Sequence, residues 1–281
     1  MPGVRIVTDS ASDILPDEAA RWGITVVPLN VNFGEETCLD RQLDAEEFWR
    51  KAQTVYPGTS QPSVGVFEET FGPLVAGGAD VICVTVTSKH SGTFNSASVA
   101  AQRFPGRVTV FDSESLSWGQ SLQAQAAAQA AQEGKSVAEI LPIVEDVRSR
   151  IRVFIALNTI EYLKKGGRAA RFISVVEKVV RFFNIKPLLT MRDGELKLLG
   201  TANSFTRAML RIQREVAALG PLEMVGVLHI RNDEVARKLY DDLIAICHMP
   251  DEGRIVETGA ALSVHGGPGT VAAIALLARA A

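Results

Sequence analysis

Residues 81–103 read Val81-Ile82-Cys83-Val84-Thr85-Val86-Thr87-Ser88-Lys89-His90-Ser91-Gly92-Thr93-Phe94-Asn95-Ser96-Ala97-Ser98-Val99-Ala100-Ala101-Gln102-Arg103. The unbroken apolar and β-branched run over 81–86 predicts a buried strand, with Cys83 as a core thiol rather than a ligand. A polar island follows, and residues 91–103 predict a helix. Strand, loop and helix in that order make one βα unit of a parallel sheet.

Working outward, the alternation continues. Residues 4–8 form a β-branched strand, Pro16–Trp22 a short helix ended by Gly23, and 24–29 a second strand. Residues 30–39, with Gly34-Glu35 in the middle, predict a hairpin. Asp44 caps a helix to about Gln53, 64–75 and 116–132 are helical, and 108–111 is a strand. A second unit opens near 151–157, with a short helix over 158–165 stopped by Gly166-Gly167. Residues 185–192 and 195–199 flank Asp193-Gly194, a two-residue hairpin signal. Helices over 204–219 and 233–246 and strands over 224–230 and 254–258 follow, and 270–279 closes the chain as a helix. The expected fold is α/β: an N-terminal parallel-sheet domain over 1–155 and a C-terminal mixed-sheet domain over 156–281.

Of the 281 residues, 47% are hydrophobic and 22% charged, which supports a sizeable core and excludes global disorder. A net charge of −3 offers no basic face for nucleic acid, although Lys164, Lys165, Arg168 and Arg171 form a local basic cluster. Three scattered cysteines and four histidines without ligand spacing exclude a disulfide framework and a zinc site. No apolar segment nears the ~20 residues that span a bilayer. Residues 1–10 enter a strand without a signal-peptide pattern, so a cytoplasmic protein is expected.

Three polar islands with almost no fixed charge stand out: Thr59-Ser60-Gln61-Pro62-Ser63, Ser88-Lys89-His90-Ser91-Gly92-Thr93, and His265-Gly266-Gly267-Pro268-Gly269. Each is expected to follow a strand or loop and to lead into a helix, with Pro268 at the first helical position of the last. Hydroxyls, an imidazole and helix-opening amides suit a small anion held by hydrogen bonds, and no glycine-rich nucleotide loop accompanies them. Ser63 and Ser91 fit plain N-caps as well as ligand contacts. His265 fits a strand-end histidine satisfied by a carbonyl as well as an anion-facing one. Asp9-Ser10 and Asp112-Ser113 end strands and read as turn residues that anchor loops. A triad of Ser91, His265 and Asp9 or Asp112 is conceivable, but no G-x-S-x-G elbow occurs. In 168–184, Phe172, Val176, Val179 or Val180, and Phe183 recur at helical spacing opposite Arg171, Glu177, Lys178 and Arg181. That pattern suits a core-facing helix or, after the Gly-Gly hinge, a movable cover over an apolar slot.

In order and spacing these motifs resemble the DegV family of bacterial fatty-acid-binding proteins. The resemblance runs from Thr8-Asp9-Ser10 through Thr59-Ser60-Gln61-Pro62-Ser63, Ser91-Gly92-Thr93, Asp112-Ser113 and Ile160-Glu161-Tyr162-Leu163-Lys164-Lys165-Gly166-Gly167-Arg168 to His265-Gly266-Gly267-Pro268-Gly269. It implies a two-domain DegV-like fold enclosing one long-chain fatty acid between the domains, and a role as the lipid-carrying subunit of a fatty acid kinase. Its carboxylate contacts carry over to Thr59, Ser60, Ser91 with Gly92 and Thr93 of the same motif, and His265. The acyl tail is expected against Phe172, Val176 and Val180, and Arg168 and Arg171 are candidates for docking the kinase's catalytic subunit. Such a protein performs no chemistry itself, takes no cofactor or metal, binds no nucleic acid, and is compatible with transient membrane contact. One departure bears on the kinase: where many relatives have a stretch resembling Gly-Lys-x-Arg, this chain has Gly200-Thr201-Ala202-Asn203, with Asn203 in place of the arginine. The rival readings are a lipid hydrolase or acyltransferase using Ser91 and His265, and a lipid carrier or sensor without a kinase.

Overall fold

The computed structural model describes residues 3–166, 185–249 and 253–279. The chain divides into two compact units, Met1–Ser149 with Gly259–Ala261, and Arg150–Thr258 with Leu262–Ala281.

The first unit runs β1 (Val4–Asp9), α1 (Pro16–Trp22), β2 (Ile24–Val27), β3 (Asn30–Phe33), β4 (Glu36–Leu39), α2 (Ala45–Ala52), β5 (Gly58–Ser60), α3 (Val64–Ala76), β6 (Asp80–Thr85), α4 (Thr93–Ala101), β7 (Val108–Asp112), α5 (Trp118–Gln132) and α6 (Val137–Arg150). Strands β2, β1, β6 and β7 lie side by side in that order, all parallel. Ile6, Ile82 and Val84 pack with Ala124, Ala127, Ile140 and Val144 on one side of the sheet. Val7, Val81 and Cys83 pack with Phe67, Phe71, Ala97 and Ala100 on the other. Both faces are covered, which is why residues 81–84 carry no polar side chain. The β2 strand stops at Val27 because Pro28 has no N–H to give the ladder. A separate three-stranded antiparallel sheet has the order β4-β3-β5.

Helix α6 has no counterpart in the sequence-based assignment. Pro142 inside it looks like a breaker, yet Ile140, Val144 and Val147 recur at helical spacing and are buried.

The second unit runs β8 (Ile151–Ala156), α7 (Glu161–Lys165), β9 (Lys186–Arg192), β10 (Glu195–Ala202), α8 (Phe205–Ala217), β11 (Leu222–His229), α9 (Asp233–Cys247), β12 (Arg254–Glu257), α10 (Ala260–Gly266) and β13 (Val271–Leu277). Its sheet has the order β10-β9-β8-β13-β11-β12; only the β11–β12 pair is parallel, so the sheet is mixed. Asp193 (φ 53°) and Gly194 (φ 74°) form the β9–β10 turn in the left-handed backbone that such a hairpin needs. The β10 strand outruns its expected end because the register shift between Leu198 and Gly200 lets pairing continue to Ala202.

The last segment is a correction. The pattern predicts a helix over 270–279, whereas the chain there forms β13, paired with β8 on one side and β11 on the other. Residues 271–276 are all buried, so no in–out alternation marks the strand, and a short apolar run of this kind looks equally like a buried helix. The helix instead runs into the third polar island, as α10, ending at Gly266. Among the described residues no helix is long and apolar enough to cross a membrane.

Candidate functional site

In the first unit, β5 places Thr59 opposite Val31 and Ser60 opposite Asn30. Strand alternation therefore sends the Thr59 side chain to the side of Val31, and that of Ser60 to the side of Asn30 and Asn32. Ser60 Oγ accepts from Asn30 Nδ2 at 3.3 Å and from Asn32 Nδ2 at 3.4 Å. Asn30 Nδ2 also donates to the Gln61 carbonyl at 3.4 Å. Ser63 does what an N-cap does: its hydroxyl accepts from Val66 N at 3.3 Å and opens α3.

The second island starts where β6 ends, and carboxylates pin its backbone. Asp9 Oδ2 accepts from Val86 N at 2.7 Å, and its Oδ1 from Ala11 N at 3.0 Å. Asp112 Oδ1 accepts from Ser88 N at 3.1 Å and from Glu114 N at 3.0 Å. Burial pushes Asp9 up to about 6, against the pull of hydrogen bonds from Val86, Gln120 and Ala11; the charge of Asp40 adds a further upward push. With the loop held, Ser91 Oγ accepts from Thr93 N at 3.2 Å and lies 2.8 Å from Thr93 Oγ1. Thr93 is fully buried, so its hydroxyl serves Ser91 from inside the protein. Gly92 is the N-cap of α4, and a Cβ there would stand 3.0 Å from Cδ and Nε2 of Gln61. The first two islands thus meet within this unit.

The third island is placed differently from the expectation. It does not open a helix: His265 lies in the last turn of α10, at the carbonyl end, and Pro268 sits in the loop between α10 and β13. The glycines have steric reasons. A Cβ on Gly266 would meet Ile230 Cδ1 at 2.5 Å. One on Gly267 (φ 73°) would meet the Tyr162 ring at 2.4 Å, and one on Gly269 (φ 85°) would meet Asn158 Nδ2 at 2.8 Å. They let α10 and the following loop pack against neighbours rather than present helix-opening amides to an anion.

Arg168, Arg171, Phe172, Val176 and Val180 lie outside the described residues. Asn203 lines a cavity of about 380 Å³ with Leu188, Leu199, Thr201, Arg207 and Arg211. Both candidate triad acids, Asp9 and Asp112, accept from backbone amides and anchor the loops that follow their strands. Among the described residues no group of three His, Cys, Asp or Glu side chains could hold a metal ion. Asn30, Asn32 and Gln61 join the cluster without having been singled out. The in–out pattern of Asn30-Val31-Asn32-Phe33 is the signal that puts both amides on one face. Chemically, this is a set of neutral hydroxyl and amide groups. The Asn30, Asn32, Ser60, Gln61, Ser91 and Thr93 side chains together can hold an acceptor.

The model of the DegV family, a family described as uncharacterised, matches residues 3–278. A DegV domain-containing protein of Deinococcus radiodurans is 32% identical over 278 residues, covering 95% of this chain and 96% of its own. Among solved structures, a fatty-acid-binding DegV family protein from Thermus thermophilus matches with a TM-score of 0.89 at 29% identity, covering 98% of this chain and all (100%) of its own. DegV from Bacillus subtilis, a fatty acid binding protein, matches with a TM-score of 0.86 at 25% identity over 99% of this chain and 100% of its own. Sequence and fold agree from near one end of the chain to the other, and the protein belongs to the DegV family.

Proposed function

We propose that this protein binds one long-chain fatty acid, holds its carboxylate with neutral donors, and presents it to the catalytic subunit of a fatty acid kinase without performing chemistry itself. The observation that carries the reading is the meeting of the first two polar islands, where Gly92 abuts Gln61 and the Ser60 and Ser91 hydroxyls stand in hydrogen-bonded settings. Ser60 and Ser91 are the proposed side-chain contacts to the carboxylate, with Gly92 leaving room for the head group and Thr93 behind Ser91; Thr59 leaves β5 on the opposite face from Ser60 and enters through the family resemblance. His265 belongs to the second unit and enters through the family resemblance. So do Phe172, Val176 and Val180 for the tail, and Arg168 and Arg171 for the kinase. Two solved relatives that bind fatty acids support the ligand class.

The energetics favour a lipid over a small acid. At ~0.8 kcal/mol per buried methylene, a tail of ~15 methylenes gains on the order of 12 kcal/mol before ordering and association costs. Head-group hydrogen bonds add ~1.5–3 kcal/mol each at most and chiefly prevent burial of an unpaired carboxylate. The tail then sets affinity and the hydroxyls set orientation. Denaturing mass spectrometry of the purified protein tests this directly: a copurified fatty acid is expected, and a lipid-free protein that also fails to take up added fatty acid rejects it.

A second reading, a fatty-acid carrier without a kinase, is favoured by Gly200-Thr201-Ala202-Asn203, where the family resemblance implies a stretch like Gly-Lys-x-Arg. Phosphate transfer from ATP to the bound acid on addition of a fatty acid kinase catalytic subunit supports the first reading. Tight binding without transfer supports the second.

A further inference from the structure

Ser60 differs from an ordinary surface serine in what surrounds its oxygen. Two side-chain amides, Asn30 Nδ2 at 3.3 Å and Asn32 Nδ2 at 3.4 Å, point N–H groups at it. The Asn30 amide is held in that orientation because the same nitrogen donates to the Gln61 carbonyl, which has no proton to offer in return. The Asn32 amide keeps its Oδ1 on the Thr37 hydroxyl at 2.9 Å, which leaves its nitrogen facing Ser60. The β3–β5 register makes the arrangement fit: Ser60 pairs with Asn30, and Asn32 pairs with Gly58, whose missing side chain leaves Asn32 a diagonal path to Ser60.

A hydroxyl has two lone pairs and one proton. With both lone pairs facing N–H donors, the proton is what Ser60 has left to offer, and among the described residues nothing accepts it. We propose that Asn30 and Asn32 are positioning residues that turn Ser60 into an obligate donor and so restrict this part of the head-group site to acceptor-only groups, namely an ionised carboxylate. This rests on the fatty-acid reading above. An alcohol brings a proton of its own, for which Ser60 provides no acceptor; a carboxylate takes the serine proton and gains from the polarised chain amide–hydroxyl–anion.

The test measures dissociation constants for palmitic acid, at a pH where it is ionised, and for 1-hexadecanol. The proteins are wild type, Asn30→Ala, Asn32→Ala, the double Asn variant, Ser60→Ala, and the triple variant, each with a thermal melt. The double Asn variant is expected to lose about fivefold in palmitate affinity and about twofold or less for the alcohol. In the Ser60→Ala background the same Asn substitutions are expected to have no further effect, because the amides act through that hydroxyl. Equal losses for acid and alcohol, or an undiminished loss with Ser60→Ala already in place, overturn the positioning role while leaving the fatty-acid reading intact. Wild-type protein without palmitate affinity removes the fatty-acid reading, and the proposal with it. If the double variant does not fold, the two single variants carry the same comparison.

Discussion

A methyl group on Gly166 would stand 2.4 Å from Nδ1 of His265. Gly166 follows α7 with φ −76°, a conformation any residue adopts, so the demand for glycine there is steric and set by the imidazole. The Lys-Lys-Gly-Gly and His-Gly-Gly motifs, about a hundred residues apart in sequence, are thus partly two sides of one packing contact.

Gly166→Ala is therefore expected to displace His265 and to destabilise the protein by about 1–3 kcal/mol. Gly72→Ala is the comparison: a Cβ there meets only Phe104 Cζ at an ordinary 3.9 Å, within α3. It should stabilise by about 0.5–1 kcal/mol. Thermal melts and the imidazole NMR signals of His265 check both, and an unmoved His265 signal in Gly166→Ala contradicts the contact.

Ser63 and Ser91 look alike in sequence and should behave in opposite ways. Ser63→Ala removes the α3 cap and is expected to lose about 1 kcal/mol of stability with fatty-acid affinity unchanged. Ser91→Ala should weaken fatty-acid binding with a smaller change in stability. Urea unfolding alongside binding titrations separates the two; a binding loss for Ser63→Ala would show that the cap is not its main role.

Thr93 is buried and its hydroxyl sits 2.8 Å from that of Ser91. Thr93→Val keeps the shape and deletes the oxygen, so palmitate affinity should fall about fivefold, while Thr93→Ser retains it. If Val and Ser variants bind equally well, the hydroxyl pair has no part in binding.

Asp9 should make the fold pH-dependent. Burial raises its folded pKa from 3.8 to about 6, so the folded chain holds the proton more tightly than the unfolded one. The associated stability is complete below about pH 4 and is lost as pH rises through about 6, an effect of up to about 3 kcal/mol. Asp9→Asn cannot titrate, and in urea unfolding across this window its stability should vary less with pH than that of wild type. Parallel pH profiles would contradict the assignment. Asp13, also pushed up to about 6 by burial, against the pull of Arg41 and hydrogen bonds from Ser117 and Gly259, leaves a residual slope of the same sign.

Local chemistry was legible in the residues themselves. Pro16 to Gly23, the Asp44 cap and the Asp193-Gly194 turn each depend on a few neighbouring atoms, and the structure has them where the pattern predicts. The doubly buried run at 81–84 announced a parallel sheet for a similar reason, since a strand covered on both faces can have no polar alternation. The order of short motifs was enough to identify the family resemblance.

Other features depended on partners far away in the chain. Residues 271–277 could be helix or strand by composition, and pairing with β8 and β11 decided it. The glycines around His265 looked like an anion cradle until Ile230, Tyr162 and Asn158 were seen packed against them. Asn30 and Asn32 carried no motif, and only the register between β3 and β5 aimed their amides at Ser60. Caps, turns and burial periodicity are short-range physics written into adjacent residues, whereas strand pairing, steric clearance and hydrogen-bond direction exist only once distant segments have met.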